Sequence, residues 1–350
     1  MDIKAALARI AERQDLTLEQ MQQVMGQIMS GEASDAQIGA FLLGLRLKGE
    51  TIDEISGAVL VMRRLAAGVD FGATGGHDRL VDIVGTGGDG ANLFNVSTAA
   101  SFVVAAAGGR VAKHGNRSVS SSSGSADMLE AAGVSLALEP AQVVACVDAI
   151  GIGFMFAPAH HSAMRHAIGP RRQLGLRTIF NILGPMTNPA GVKRLVIGVY
   201  AVAWCRPVAE VLQRLGAEHV LVAHSRDGLD EISPAAPTHV VEARGGTLRE
   251  YELEPAGLGL PPTTLDGLEV GSALESLELI RAALSGAPGD RAERARRLVA
   301  INAGAALYVA GLQASIADGV AAAMRLQQSG QPWLRVEALA DFTAALSKAS

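Results

Sequence analysis

The first seventy residues follow the apolar and polar pattern of amphipathic helices. Apolar side chains recur at spacings of three and four residues in two groups, which are Met21, Val24, Met25, Ile28 and Ile38, Phe41, Leu42, Leu45. The pattern of a capping box occurs three times, in Thr17 with Gln20, Ser34 with Gln37, and Thr51 with Glu54. Glycines stand where left-handed caps would end three helices, at Gly31, Gly49 and Gly68. Residues 1–72 are therefore predicted to form a small helical domain.

From Leu80 onward the rhythm changes to short apolar runs separated by helix-like stretches. The runs are Leu80–Val84, Arg110–Lys113, Ile152–Phe156, Leu195–Val199 and Val220–Ala223. This alternation predicts an α/β domain with a mainly parallel sheet over residues 73–350. An inserted stretch at about 166–190 is expected to pack back onto the helical domain. The region from Pro234 to Pro262 is predicted to be rich in β-structure, and residues 291–350 to be Ala-rich helix.

Composition narrows the class of protein without identifying its chemistry. The chain has 350 residues, of which 49% are hydrophobic and 19% charged, as in globular proteins. A formal net charge of -5 argues against nucleic acid or an anionic membrane as a partner. Runs such as Phe102–Ala107 are far shorter than the roughly 20 residues of a membrane span, and the N-terminus lacks a signal-peptide pattern. With only Cys146 and Cys205 as cysteines, a cytoplasmic protein is expected.

A glycine-rich segment follows the first predicted strand. Val81–Val84 leads into Gly85–Gly90, where the absence of side chains lets backbone N–H groups approach phosphate oxygens. The segment also satisfies a dinucleotide-binding fingerprint, which requires an acidic residue about 20 positions further on. No Asp or Glu occurs from Gly90 to Ala126, which argues strongly against a dinucleotide site.

The acid-free window is itself suited to an anion. It contains Arg110, Lys113, His114 and Arg117, together with many hydroxyl residues. Two helix N-termini are predicted inside it, one at Asn95–Thr98 and one after the serines that end at Ser125. Such N-termini, with a Lys and an Arg, can hold a polyanion. The alternative is a solvated Ser-rich loop beside an ordinary glycine turn, and the clustering favours the phosphate site.

Several motifs give the chain a more specific resemblance. In order, they are Gly85-Thr86-Gly87-Gly88-Asp89, Asn95-Val96-Ser97-Thr98, Lys113-His114-Gly115-Asn116-Arg117, Ser120-Ser121, Gly124-Ser125-Ala126-Asp127, Arg171 in a Gly-Pro-Arg-Arg run, Asn181-Ile182-Leu183-Gly184-Pro185, and Gly228-Leu229-Asp230-Glu231-Ile232. In order and spacing the chain resembles the anthranilate phosphoribosyltransferases over nearly its whole length. A weaker similarity, limited to the segment from Lys113 to Asp127, is to the pyrimidine nucleoside phosphorylases.

The resemblance implies an enzyme that joins anthranilate to the ribosyl carbon of phosphoribosyl pyrophosphate. It implies the following contacts to phosphoribosyl pyrophosphate: Gly85, Gly88, Asp89, Leu93, Asn95, Val96, Ser97, Thr98, Lys113, His114, Gly115, Asn116, Arg117, Ser118, Val119, Ser120, Ser121 and Ser125. Anthranilate would contact Gly85, Asn116 and Arg171. Lys113, Asn116 and Arg171 are the residues expected to act in catalysis.

The resemblance also implies magnesium and a homodimer. Ser97 would contact one magnesium ion, and Asp230 with Glu231 would hold a second. Hard oxygen ligands suit this metal, which typically takes only one or two carboxylates from the protein. Without the resemblance, an adjacent Asp-Glu pair would be read as a solvated loop. The histidines at 160, 161 and 166 lack a carboxylate or Cys at ligand spacing and are not expected to bind metal.

Departures from the family pattern are few, and two other functions remain open. Leu93 stands where the family usually has a small hydroxyl residue, which places one hydrogen bond to the substrate in doubt. Ser162 replaces a common proline, and Met186 a usual leucine. A nucleoside phosphorylase would not need Arg171 or the Asp230–Glu231 pair. A nucleic-acid-binding relative of the fold should show a basic face, which the acidic balance of the chain disfavours.

Overall fold

The computed structural model describes residues 1–72, 79–118 and 122–349, and begins with four helices. They are α1 (Ile3–Ala11), α2 (Leu18–Ser30), α3 (Asp35–Lys48) and α4 (Ile52–Leu65). All three predicted capping boxes are present, and Gly31 ends α2 in the left-handed conformation. Gly49 ends α3 at positive φ but with an extended ψ of 129°. The predicted cap at Gly68 is wrong, because α4 already ends at Leu65 and its C-cap, Ala66, is extended.

Seven strands form one sheet in the order β3-β2-β1-β4-β5-β6-β7. The strands are β1 (Val81–Gly85), β2 (Val111–Gly115), β3 (Ile152–Phe156), β4 (Arg194–Gly198), β5 (His219–Ser225), β6 (Thr238–Arg244) and β7 (Thr247–Leu253). The first five are parallel, and β6 and β7 add an antiparallel edge. The prediction of an α/β domain with a mainly parallel sheet is confirmed, as is the β-rich region after Pro234.

Eleven further helices of the described residues cover this sheet or extend from it. They are α5 (Val96–Ala106), α6 (Ser125–Ala131), α7 (Pro140–Ile150), α8 (Ala157–His160), α9 (Arg165–Leu174), α10 (Phe180–Met186), α11 (Cys205–Arg214), α12 (Ala273–Leu284), α13 (Asp290–Val309), α14 (Ile316–Ser329) and α15 (Gln331–Ala349). The Ala-rich tail is thus three helices, interrupted at Gly311 and Gly330, both of which have positive φ. No helix of residues 1–72, 79–118 and 122–349 has the length and apolarity needed to cross a membrane.

The inserted stretch lies against the N-terminal helices. Helix α9 packs on α2 and α3, and α10 packs on α4. The Arg63 Nε atom in α4 donates a hydrogen bond of 2.8 Å to the carbonyl of Met186. These contacts agree with a helical domain built from 1–72 and about 166–190, although the boundaries themselves remain a prediction.

The strand order creates a crevice for a ligand. The chain runs outward from β1 to β2 and β3, and then from β1 in the other direction to β4 and β5. Ligands of open α/β sheets bind at such a switch point, beyond the carboxyl ends of the strands. In this protein β1 and β4 end there at Gly85 and Gly198, which are paired in register. The predicted phosphate segment therefore begins at the carboxyl ends of the strands, where a ligand is expected.

Candidate active site

The glycine segment after β1 forms a loop, residues 85–90, that is held against the loop after β5. Gly87, Gly88 and Gly90 have φ between 70° and 81°, a region that favours glycine. The backbone N–H of Gly87 donates a 2.6 Å hydrogen bond to Asp230 Oδ2. A Cβ on Gly85 would lie 2.5 Å from the same oxygen. Residues 85–90 are called the glycine loop below. Its glycines allow the positive φ values and leave room for the Asp230 carboxylate.

Asp230 and Glu231 lie at the carboxyl end of β5 on a rigidly held loop. The side-chain oxygen of Asn302 accepts a 2.9 Å hydrogen bond from the N–H of Ile232, and its amide nitrogen donates one of 2.9 Å to the Ile232 carbonyl. Asn302 is fully buried in α13. The acidic pair is therefore fixed by a helix seventy residues further along the chain rather than by its own sequence.

Burial leaves this acidic pair poorly solvated. It raises the pKa of Asp230 to about 7, and the neighbouring Asp89 carboxylate adds to that shift. Burial likewise raises the pKa of Glu231, with repulsion from Asp230 as the next cause. The Glu231 carboxylate accepts a hydrogen bond from the backbone N–H of Ser97. A bound cation would relieve both the desolvation and the repulsion, so these hard oxygen donors fit a magnesium ion.

The donor set is small. Among the residues that the structure describes, no three His, Cys, Asp or Glu side chains gather into a metal-binding cluster. A metal held by Asp230 and Glu231 alone would have to complete its shell with water or with ligand oxygens. That arrangement is typical of magnesium sites that share a substrate's phosphates.

Lys113 lies buried between β1 and α5. Its Nζ donates a 2.6 Å hydrogen bond to the Ile83 carbonyl and a weaker one of 3.4 Å to Ser97 Oγ. Only 1% of its surface is exposed. Burial lowers the pKa of Lys113, while Asp82 and Glu231 act in the opposite direction. The Lys113 Nζ thus lies beside Ser97 at the N-terminus of α5, where the helix dipole is positive, and close to Glu231.

Other residues of the predicted phosphate segment make internal contacts. The Asn95 side chain donates to the Ser123 carbonyl (3.0 Å) and accepts from the hydroxyls of Ser123 (2.8 Å) and Ser276 (2.7 Å). Thr98 Oγ1 donates to Ser125 Oγ at 3.0 Å. These side chains fasten the two helix N-termini to each other, and Val96 is buried at the start of α5.

Arg117 is directed toward α6. Its guanidinium pairs with Asp127 at 3.0 Å and donates to Glu130 at 2.7 Å. The Asp127 carboxylate also accepts the N–H groups of Ser118 (2.9 Å) and Gly124 (3.0 Å), which shapes the turn. Val119, Ser120 and Ser121 lie outside the described residues. The predicted contact of Arg117 with phosphate stays a prediction, and would require this guanidinium to exchange its acidic partners.

Arg171, on α9, is half-buried. Its guanidinium lies over the ring of Phe180, 5.1 Å from the centroid, and none of the ion pairs among the described residues includes it. Burial lowers the pKa of this guanidinium, which remains fully protonated at neutral pH. Asn116 is exposed and its Oδ1 accepts the N–H of Arg117 at 2.7 Å. A half-buried, unpaired arginine is a suitable partner for a ligand carboxylate.

Two neutral histidines line the region between β2 and α8. The rings of His114 and His161 meet edge to face, with centroids 5.1 Å apart. Burial lowers their pKa values to about 3 and about 4, and repulsion from neighbouring histidines adds to both shifts. Neither Nε2 atom has a hydrogen-bond partner within the described part of the chain. The pair is therefore uncharged at neutral pH, as suits the wall of a cleft that would hold an aromatic ring.

Comparison with known proteins agrees with this architecture. Residues 4–66 match the helical bundle domain of a glycosyl transferase family, and residues 77–332 match the α/β domain of the same family. The anthranilate phosphoribosyltransferase of Azotobacter vinelandii is 61% identical over 344 residues, which are 98% of each chain. This chain belongs to the anthranilate phosphoribosyltransferase family. The family and the enzyme class expected from the motifs are confirmed.

Solved structures place the chain in the same family by shape. The anthranilate phosphoribosyltransferase of Thermus thermophilus has a TM-score of 0.89 and 40% identity, over 97% of this chain and 99% of that one. The Saccharomyces cerevisiae enzyme, solved in complex with phosphoribosyl pyrophosphate and magnesium, has a TM-score of 0.87 over 98% of both chains. At 24% identity the yeast structure shows that the fold is shared.

The structure of this anthranilate phosphoribosyltransferase family member adds residues that sequence reasoning missed. In the sequence Asn302 is only part of a helical motif, yet it fixes the acidic loop. Asn188 donates to the buried Asp82 carboxylate at 2.7 Å and to the Ala112 carbonyl at 2.9 Å, which anchors the end of the inserted stretch to the sheet. Each has a partner far away in the chain, so local spacing carries no signal for it. A buried asparagine inside an apolar helix is the available hint at Asn302.

Proposed function

We propose that this chain transfers the 5-phosphoribosyl group of phosphoribosyl pyrophosphate to the amine of anthranilate, releasing pyrophosphate, in tryptophan biosynthesis. The observation that carries the proposal is the meeting of a glycine loop, a buried lysine and the Asp230–Glu231 pair at the carboxyl ends of the strands. Nearby, an arginine on α9 has no acidic partner among the residues that the structure describes. Relatives that carry this activity by name align with the chain over 98% of its length. The two anionic substrates would thus approach from different sides of one cleft.

Phosphoribosyl pyrophosphate would lie over the glycine loop and the N-terminus of α5. In this proposal the amides of Gly88 and Asp89 and the start of α5 at Val96–Thr98 receive the phosphate oxygens, because helix N-termini and glycine-rich backbone can present N–H groups to anions. The N–H of Val96 donates to the Phe94 carbonyl at 2.7 Å and that of Ser97 to Glu231, so these two would have to exchange partners. Lys113, whose Nζ lies beside Ser97, would add positive charge at the start of α5. The remaining proposed contacts are Gly85, Leu93, Asn95, His114, Gly115, Asn116, Arg117, Ser118, Ser125 and the three residues outside the described ranges.

Magnesium would be held by Asp230 and Glu231 on one side and by Ser97 on the other, and we propose two ions. Support comes from the acidic pair, in which Asp230 is buried and Glu231 partly buried, and from the Ser97 hydroxyl beside Lys113. The yeast enzyme was solved with phosphoribosyl pyrophosphate and magnesium. When bound, magnesium neutralises the negative charge of the pyrophosphate. The protein's part is to fix Asp230 and Glu231 through Asn302, so that the carboxylates do not have to reorganise.

Anthranilate would be held through its carboxylate by Arg171, beside Asn116 and the Gly85 backbone. The planar guanidinium can donate two parallel hydrogen bonds to a carboxylate, which a lysine cannot. The ring of Phe180 and the neutral pair His114 and His161 would supply an uncharged wall for the aromatic ring. Arg171 and Phe180 belong to the inserted stretch, which packs on the N-terminal helices. In this proposal anthranilate therefore binds to the side of the cleft that the helical domain forms.

The chemistry follows from position and charge. The bond between C1 of the ribose and the pyrophosphate breaks as the amine attacks from the opposite face, with inversion and an oxocarbenium-like transition state. Lys113 and the backbone amides would stabilise the negative charge that develops on the departing pyrophosphate. The aryl amine is neutral at pH 7 and already carries its lone pair, so the protein needs no strong base. The secondary ammonium formed on attack is acidic and would lose its proton to water. Holding both substrates in line would supply much of the rate enhancement.

A direct assay tests the proposed function. Purified protein mixed with anthranilate, phosphoribosyl pyrophosphate and magnesium should consume anthranilate, which is followed by its fluorescence, and release pyrophosphate in equal amount. Omission of any one component should stop the signal. Phosphorolysis of a pyrimidine nucleoside in place of this reaction would favour the nucleoside phosphorylase interpretation instead.

Leu93 gives a first prediction about the donor substrate. It lies half-buried opposite Glu269, in the segment between the glycine loop and α5. Leu93→Thr should lower the KM for phosphoribosyl pyrophosphate several-fold, because a net hydrogen bond contributes about 1 kcal/mol. Leu93→Val, which is branched but has no hydroxyl, is the control, and steady-state kinetics is the measurement. An unchanged or higher KM would mean that this position does not face the donor.

We also propose a homodimer formed through the helical layer, in the cytoplasm. Of the eight large hydrophobic side chains exposed among the described residues, five lie in 1–72 or 166–190, namely Leu43, Leu47, Leu65, Ile168 and Leu176. Surface apolar residues concentrated on one part of a protein typically mark an interface. Both cysteines are buried free thiols, as is common in a reducing compartment.

A charge on this face should disturb the dimer. Leu47, 67% exposed on α3, is the best probe. Leu47→Glu should shift the mass found by light scattering from dimer toward monomer at micromolar concentration, because a buried unpaired carboxylate is costly. Leu274→Glu, at an exposed position of α12, is the matched control and should leave the mass unchanged. A monomeric unmodified protein, or a dimer that tolerates Leu47→Glu, would contradict the proposal.

A further inference from the structure

Arg177 connects the stretch after α9 to the glycine loop and belongs to none of the predicted site residues. Its guanidinium donates a hydrogen bond to the carbonyl of Gly88. The same group lies over the ring of Tyr200, with its central carbon 4.3 Å from the centroid. A Cβ on Gly88 would lie 3.4 Å from the Arg177 Nη2 atom, so the guanidinium rests against the loop backbone. Arg177, Tyr200 and the Gly88 carbonyl are called the Arg177 clamp below.

The clamp is anchored on both of its sides. Arg46 of α3 donates a hydrogen bond to the backbone carbonyl of Arg177, which ties it to the helical layer. On the sheet side, the N–H of Tyr200 donates to Thr86 Oγ1 at 3.0 Å, and the N–H of Thr86 donates to the Gly198 carbonyl at 2.9 Å. Because both ends are fixed, the guanidinium is held in place although much of Arg177 is exposed.

The glycine loop requires such a restraint. Gly87, Gly88 and Gly90 give its backbone unusual freedom, and the loss of that freedom opposes any single conformation. Rotation of the peptide between Gly88 and Asp89 would exchange the positions of its C=O and N–H groups. A carbonyl oxygen would then face the anion that the N–H should bind. A donor fixed on the Gly88 carbonyl, outside the loop, stabilises the orientation that presents the N–H.

The clamp also places an unneutralised charge beside the loop. Within residues 1–72, 79–118 and 122–349, no acidic side chain forms an ion pair with Arg177. Its stacking on Tyr200 is a cation–π contact, which retains the positive charge. The same short segment begins at Gly175, the left-handed C-cap of α9, the helix that carries Arg171. The Arg177 clamp therefore connects α9, which carries Arg171, directly to the glycine loop.

We propose that Arg177 is a positioning residue, which holds the Gly88 carbonyl and so fixes the glycine loop in the conformation that accepts the phosphates of phosphoribosyl pyrophosphate. Tyr200 orients the guanidinium, and Arg46 holds the segment that carries it. This inference rests on the proposed function, since the loop that Arg177 restrains is the proposed donor site. It assigns to the inserted stretch a second task beside the binding of the aromatic acid.

The first test compares two arginines on the same stretch. Arg177→Ala should weaken the binding of phosphoribosyl pyrophosphate with magnesium by about tenfold, as expected for the loss of a charge-assisted hydrogen bond. The KM for this substrate should rise in parallel, whereas kcat and the KM for anthranilate change less. Arg172→Ala removes the same charge from an exposed position of α9 and should bind as the unmodified protein does. Calorimetry on the whole protein gives the affinity of each variant for phosphoribosyl pyrophosphate. Thermal unfolding should show both variants to be as stable as the unmodified protein.

Two further measurements separate positioning from general structure. Guanidinium chloride at low millimolar concentration should restore part of the lost affinity of Arg177→Ala and leave Arg172→Ala unaffected. Tyr200→Phe keeps the stacking face and should bind normally, whereas Tyr200→Ala should show part of the Arg177→Ala defect. Arg177→Lys, with a charge but no planar fork, should lie between alanine and arginine.

The outcomes distinguish this inference from the function on which it rests. If the unmodified protein binds phosphoribosyl pyrophosphate and Arg177→Ala binds it equally well, the positioning role is wrong and the proposed function stands. Equal losses in Arg177→Ala and Arg172→Ala would likewise overturn it, because the effect would then be one of net charge. If the unmodified protein does not bind phosphoribosyl pyrophosphate at all, the proposed function itself fails.

Discussion

Replacing Asp230 by Asn together with Glu231 by Gln should abolish most turnover at limiting magnesium, by a factor of about a hundred or more. The two amides keep the shape of the loop that Asn302 holds but remove both negative charges that would bind the metal. Part of the activity should return as magnesium is raised, because the substrate's own phosphates still bind the ion. Initial rates over a magnesium titration, with both substrates saturating, are the measurement.

The control for this double variant removes the same charges elsewhere. Glu254→Gln with Asp266→Asn alters two exposed carboxylates and should leave the magnesium dependence unchanged. Thermal unfolding without magnesium should show the Asp230/Glu231 variant to be at least as stable as the unmodified protein. Desolvation raises the pKa of both carboxyls, and repulsion from Asp89 (at Asp230) and from Asp230 (at Glu231) adds to it. Full activity of the variant at limiting magnesium would remove the acidic pair from the mechanism.

Arg171→Ala should raise the KM for anthranilate by roughly ten- to a hundredfold, and the KM for phosphoribosyl pyrophosphate far less. The half-buried guanidinium rests on Phe180 and has no acidic partner among the described residues, so a ligand carboxylate is its natural counterion. Arg171→Lys should restore only part of the affinity, because a point charge lacks the planar fork. Kinetics with each substrate varied in turn is the measurement.

The opposite bias should come from the donor side. Ser97→Ala or Lys113→Ala should raise the KM for phosphoribosyl pyrophosphate more than that for anthranilate, because both groups meet at the N-terminus of α5 rather than on α9. Arg172→Ala serves as the control for charge on α9. Equal effects of Arg171→Ala on both substrates would indicate a structural arginine and would move the acceptor site elsewhere in the cleft.

The elements that the sequence predicts well are those with local causes. The capping boxes at Thr17, Ser34 and Thr51 need only residues three positions apart, and all three are present. The five parallel strands follow from short apolar runs between helical stretches. The predicted cap at Gly68 is wrong because α4 ends before it, at Leu65. After Leu65 the backbone leaves the helical path, because the N–H of Ala67 donates to the His160 carbonyl and that of Val69 to the Pro189 carbonyl.

The contacts that shape the candidate site are mostly long-range. Motifs identify Asp230, Glu231 and Lys113, but not that Asn302 fixes the acidic loop or that Arg177 holds the glycine loop. Those partners lie seventy and eighty-nine residues away in the chain. Arg117 shows the converse, because its place in a basic motif suggests a phosphate, whereas its neighbours in space are the carboxylates of α6. Sequence spacing cannot specify which of two partners a flexible charged side chain chooses.

The pairing of Gly85 with Gly198 limits how this protein can diverge or be redesigned. Strands β1 and β4 meet at these two glycines, and a Cβ on either one would collide with Asp230, with its carboxylate at Gly85 and its backbone at Gly198. Even an added methyl group would push the acidic loop outward. If the acceptor binds at Arg171 as proposed, variation in the choice of acceptor is expected on α9 and the stretch that follows it rather than at these two glycines. A mutational library aimed at new aromatic acids should leave the seam between β1 and β4 intact and sample the face that carries Arg171.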